Sequence, residues 1–131
     1  MADLRTLHDE LLAALAEMEA LTARPSCDES ELSRLRYRLS RVSGERRRLV
    51  EQMCLSLADH VTGDQAERLR AVHASSLEAR AASNAHIGAW NIREVAADWE
   101  GYRRASAKMR AIMHAQIAAE KAALCPRVVR A

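Results

Sequence analysis

The chain has no phenylalanine, two tryptophans, two tyrosines, four glycines and two prolines in 131 residues. Alanine, leucine, arginine and glutamate dominate instead, all good helix formers, so the composition predicts an all-helical protein. No run reaches the ~20 apolar residues a membrane span needs. The first apolar stretch, Leu4 to Leu15, is broken by Arg5, His8, Asp9 and Glu10, so no signal-peptide core is expected there. The three cysteines, Cys27, Cys54 and Cys125, are odd in number and far apart. They support neither a zinc ribbon nor a disulfide framework, and they fit small apolar side chains in a reducing cytoplasm. A formal net charge of +2 gives no field that would favour nucleic acid or a membrane surface. The local run Arg46-Arg47-Arg48 lacks interleaved aromatic residues and reads as a solvated helix face. There is no phosphate-cradling glycine loop and no serine in a nucleophile elbow, so no enzyme chemistry is expected.

What is present is helical periodicity. Leu4, His8, Leu11, Leu15 and Met18 recur at three- and four-residue spacing and predict a first helix from Asp3 to about Ala23. Arg24-Pro25 ends it. Ser26 or Asp28 is the expected cap of a second helix. That helix carries Leu32, Leu35, Leu39, Val42, Arg46, Leu49, Met53 and Leu57 on one stripe and ends near His60. A third helix is expected from Thr62 or Asp64, with Leu69, His73, Leu77, Arg80, Asn84 and Ile87 on a face whose apolar character thins after Leu77. Asn91 with Glu94 is another capping box. It opens either one long final helix or a short turn that breaks near Asp98. The last stripe holds Trp99, Tyr102, Met109, Met113, Gln116, Glu120 and Leu124. With one domain's worth of residues, these elements predict an up-down-up-down four-helix bundle over residues 1–126 and a loose tail at 127–131.

One ionisable residue interrupts each stripe: His8, Arg46, His73 and Glu120. Burying such groups costs several kcal/mol per ion unless they are paired or bind a metal. One per helix is the pattern of a constellation. The segments LHDELLAAL (residues 7–15), LRAVHASSL (69–77) and AQIAAEKAALCP (115–126) resemble hemerythrin-like, or HHE cation-binding, domains over nearly the whole chain. That resemblance implies a four-helix bundle that holds two iron ions and binds or senses oxygen, iron or redox state. It places His8 and His73 at histidine ligand positions and Glu120 at the bridging carboxylate of the last helix. Gln116 stands where the family carries a histidine, and a neutral amide is a poor iron ligand. On the second helix two alignments are open. One keeps Glu45 as the bridging carboxylate, with Arg41 in place of histidine. The other, favoured by the helical stripe, puts Val42 and Arg46 at those positions.

The expectation that follows is a non-catalytic regulatory or protein-interaction protein, without a cofactor, in which Arg46 pairs with Glu120 where iron would lie and Gln116 completes a polar core network. The alternative is an iron- or zinc-binding protein using His8, His73, Glu120 and, in the other alignment, Glu45. His60, His86 and His114 are expected at the surface or at helix ends. Trp90, Trp99 and Tyr102 are expected to pack at one end of the bundle or, alternatively, to form a partner-binding patch. Protein partners or self-association are the expected interactions.

Overall fold

The computed structural model describes residues 3–124; the tail expected at 127–131, with Cys125 and Pro126, lies outside them. All the described elements are helical: α1 (Leu4–Thr22), α2 (Glu29–Leu57) with a following 3-10 turn at Ala58–His60, α3 (Gly63–Ala89), α4 (Ile92–Ala97) and α5 (Trp99–Leu124). The boundaries follow local chemistry. Asp3, Asp28 and Asn91 each accept from the backbone N–H three residues on, supplying orphan donors of the first turn. Asp28, not Ser26, is therefore the cap of α2. Gly63 opens α3 at φ +58, a left-handed conformation that a Cβ would strain.

The chain breaks at Asp98, so α4 and α5 are separate helices. The Asp98 carboxylate turns back to accept from the Gly101 N–H at 2.9 Å. A Cβ at Gly101 would meet that same carboxylate as it stands, so a larger residue there would oblige the Asp98 side chain to shift.

Helix α1 packs chiefly on α2, and α3 chiefly on α5; α1 also meets α5, and α2 also meets α3. Short α4 touches α2 and α5. Three apolar clusters follow one another through the interior. Leu4, Val50, Cys54, Leu69 and Val72 form one. Leu7, Leu11, Leu15, Val42 and Ile117 form the next. Met18, Leu21, Leu32, Leu35, Val95 and Tyr102 belong to the third.

The inward face of α3 differs from the expected one. Leu69, Val72 and Ala79 are its buried residues, and Ser76, Ser83, His86 and Trp90 continue that line half-buried. Leu77 and Ile87, placed on the inner face by their size, are 54% and 45% exposed. The spacing of three and four is kept, but small and polar side chains occupy it, so large apolar residues were a poor guide to this helix.

Candidate functional site: a buried carboxylate held by three helices

Glu120 lies where two of the apolar clusters meet. On α1, His8 falls between Leu4 and Leu11; on α2, Arg46 falls between Val42 and Val50; on α5, Glu120 follows Ile117 by one turn. Each helix thus delivers its polar residue to the same depth. His8 and Glu120 are fully buried, Arg46 and Gln116 are 4% exposed.

The contacts converge on the carboxylate. His8 Nε2 lies 2.9 Å from Glu120 Oε1. Arg46 donates through one terminal nitrogen to Oε2. The Gln116 amide, one turn back on α5, donates to the same Oε2 at 2.8 Å. An ionised carboxylate accepts only, so the histidine carries its proton on Nε2 in this bond. The other guanidinium nitrogen of Arg46 reaches Ser43 Oγ at 3.4 Å. Among the described residues, two buried atoms, His8 Nδ1 and Arg46 Nε, have no hydrogen-bond partner. Arg46 is attached to α2 and Glu120 to α5, which are not among the closely packed helix pairs. The long side chains therefore cross the interior and tie together helices whose backbones stay apart.

Burial pushes the Glu120 carboxyl upward, but the His8 hydrogen bond, the Arg46 charge and the Gln116 amide outweigh it and hold the group below its ordinary value. The sign of the resulting pH dependence follows. A depressed carboxylate stabilises the fold above its unfolded pKa, and that contribution is lost as pH falls through the folded value. The stability gap between the wild-type protein and Glu120→Gln, read from urea midpoints, is expected to be flat above about pH 5 and to narrow in more acid solution. A gap that stayed constant throughout the acid range would show that Glu120 is not held ionised. The exposed carboxylates with lowered values, Asp3 and Glu17, are common to both proteins and cancel in the comparison.

The remaining candidates are placed elsewhere. His73 is half-buried and makes no hydrogen bond to the Glu120 cluster, so α3 contributes no side chain to the network; the rotation of its face explains this. Glu45 is 39% exposed and pairs with Arg41 at 3.2 Å, leaving Val42 and Arg46 as the inward pair of α2. The basic run is divided: Arg46 is buried, Arg47 half-buried and Arg48 exposed.

Among the described residues, no group of three histidine, cysteine, aspartate or glutamate side chains stands close enough to hold a metal ion. The donor chemistry agrees. Both oxygens of Glu120 are engaged, Gln116 turns its NH2 inward, and a guanidinium has no lone pair to offer and repels a divalent cation. The residues present do not suit a di-iron centre.

The aromatic trio is packed together. Trp90 meets Tyr102 edge-on at 5.7 Å between centroids, and Trp99 stacks on it at 5.9 Å. Trp99 Nε1 donates to the Arg24 carbonyl at 2.9 Å, fixing the α1–α2 connection against α5. His86, expected at the surface or at a helix end, lies in the last turn of α3 and stacks on the same Tyr102 ring at 5.7 Å. Burial and the nearby Arg36 charge push its pKa down.

One further feature was foreshadowed in the sequence only by the thinned face of α3, which fits a polar pocket or an oligomer contact. A cavity of about 360 Å³ opens between α2 and α3, floored by α1 and α5. Arg36, Arg47 and Arg110 line it together with His86 and Tyr102.

No family model matches the chain, and neither a curated protein nor a solved structure does. The hemerythrin-like resemblance is carried by the residues quoted above alone.

Proposed function

We propose that this chain is a hemerythrin-like, up-down-up-down four-helix bundle whose di-iron site has become a metal-free polar network, and that it acts without catalysis, as a regulatory or protein-interaction protein of the cytoplasm. The observation that carries this reading is the Arg46 guanidinium bonded to Glu120 inside the core. It supplies the positive charge that a metal would otherwise provide, from a position where the family keeps a ligand. The order of helix neighbours, α1 to α2, α2 to α3, α3 to α5 and α5 back to α1, supports the bundle arrangement. Among the described residues no helix is long and apolar enough to cross a membrane. Cys27 and Cys54 are free thiols, and burial raises the pKa of both, which suits a reducing compartment and argues against reactive roles. Exposed Leu55 and Leu77 are available to a protein partner.

The test is metal content and metal response. Purified protein is expected to be colourless, to carry no stoichiometric iron or zinc, and to show no rise in thermal midpoint when Fe(II) or Zn(II) is added anaerobically. One equivalent of either metal bound per chain, or the near-ultraviolet absorption of an oxo-bridged iron pair, would overturn the reading.

A further inference from the structure

We infer that the cavity between α2 and α3 is a binding site for a carboxylate carried on an aliphatic chain, with its headgroup at Arg47 and its tail running towards Tyr102. The inference stands on the cavity and does not depend on how the Glu120 network arose.

Three observations converge. The first is unneutralised charge. Arg36, Arg47 and Arg110 line the cavity and no aspartate or glutamate does. None of the three belongs to an ion pair among the described residues, although six other arginines do. In a chain of formal net charge +2, that segregation of cations into one concavity is a local choice of the fold. The second is shape. Beside Arg47 a second, small recess of about 10 Å³ shares Ser43 and Ser83 with the cavity and adds Arg46, Arg80 and Gln116. Burial first, and then the neighbouring charges of Arg80, Arg46 and Arg48, depress the Arg47 pKa. This end is therefore a site of concentrated positive potential with two hydroxyls beside it, which is what a carboxylate needs. The third is the apolar lining. Leu15, Met18, Leu39, Met109 and Met113 give a leucine- and thioether-rich wall that adapts to a flexible chain. Arg36 sits over the Tyr102 ring at 5.8 Å, and Arg110 is held by Thr22 and Ser106 hydroxyls at 3.1 and 2.8 Å. Arg110 is thus engaged by hydroxyls and Arg36 by the ring face, whereas Arg47 has neither a hydrogen bond nor a ring contact among the described residues. Arg36 and Arg47 lie about 16 Å apart along α2, long enough for a medium-length acyl chain, and the volume falls within the range of small-molecule sites.

The cavity exists because α3 turns serine, alanine and histidine inward where a leucine stripe would have filled the space. A ligand would replace that missing apolar volume and neutralise Arg47 together.

Decanoate, used below its micelle concentration, is the probe; calorimetry and the fluorescence of Trp90 and Trp99 are the readouts. One saturable site per chain is expected. Decanol, which keeps the chain and loses the charge, and decylammonium, which reverses it, are expected to bind at least about tenfold more weakly, the ratio appropriate to a charge-assisted hydrogen bond. Arg47→Gln is expected to weaken decanoate by a similar factor while leaving decanol unchanged; Arg70→Gln, on the far surface and paired with Glu67, should change neither. Circular dichroism of each variant checks that the fold is intact. Absence of saturable binding, equal affinity for decanol and decanoate, or undiminished binding by Arg47→Gln would each overturn the assignment. Metal binding measured in the same samples reports separately on the Glu120 site.

Discussion

Arg46→Ala is expected to lower the unfolding free energy by about 3–5 kcal/mol. Among the described residues, the guanidinium is the only permanent cation bonded to a carboxylate that water does not reach. Removing it leaves Glu120 with His8 and Gln116 alone, and with a cavity where the side chain lay. The carboxyl then has two ways out, both costly. It can stay ionised without its counter-charge, or it can take up a proton and lose the hydrogen bonds that favour the anion. A double-mutant cycle separates the pair from the cavity. Glu120→Gln made in the Arg46→Ala background is expected to cost much less than Glu120→Gln in the wild-type protein, because the charge has already lost its partner. Urea denaturation at neutral pH measures all four corners. If Arg46→Ala moved stability by no more than ~0.5 kcal/mol, the arginine would behave as a surface residue and the network would have no structural weight. The pair need not be the most stable filling for this space. A well-packed apolar replacement of both residues often equals or exceeds a buried ion pair.

Tyr102→Ala should be the other large loss, about 3–5 kcal/mol as for a fully buried aromatic ring. Tyr102 is 1% exposed and touches Trp90, Trp99 and His86 through its ring. It anchors the third apolar cluster and joins α5 to Met18 of α1 and to Val95 of α4. Truncation removes the surface on which both indoles rest, so the near-ultraviolet circular dichroism of the two tryptophans should collapse with the stability. This result also distinguishes the two roles open to the trio. A partner-binding patch would tolerate truncation with little change in the free protein and lose affinity instead; a packing core would lose stability first. A change below ~1 kcal/mol with the tryptophan signal intact would favour the patch.

The polar network and the cavity were visible in the sequence to different degrees, for a physical reason. On α1, α2 and α5, large apolar side chains outline the buried stripe, so a charged residue inside it stands out. His8, Arg46, Gln116 and Glu120 could be found by counting along the helix. The choice between Glu45 and Arg46 also rested on angle alone, and the fold turns Arg46 inward. On α3 the outline was missing. Its inner line is mostly small or polar, while Leu77 and Ile87 face outward, so the centre of that line could not be fixed and His73 lies half-buried at its flank.

Asp28 over Ser26 and the break at Asp98 were settled by the structure, whereas the amino-acid sequence by itself determined that the chain is helical, the start of α1 at Asp3, the cap at Asn91, and the polar residues that three of the helices carry inward. These are consequences of propensity and periodicity within single segments. Tertiary packing alone decided that α3 would present serine and histidine to its neighbours. It also decided that Arg36, Arg47 and Arg110, from two different helices, would line one cavity without an acid among them. Such a cavity is a property of the space between helices, set by volumes that are absent, and no spacing along one chain records an absence.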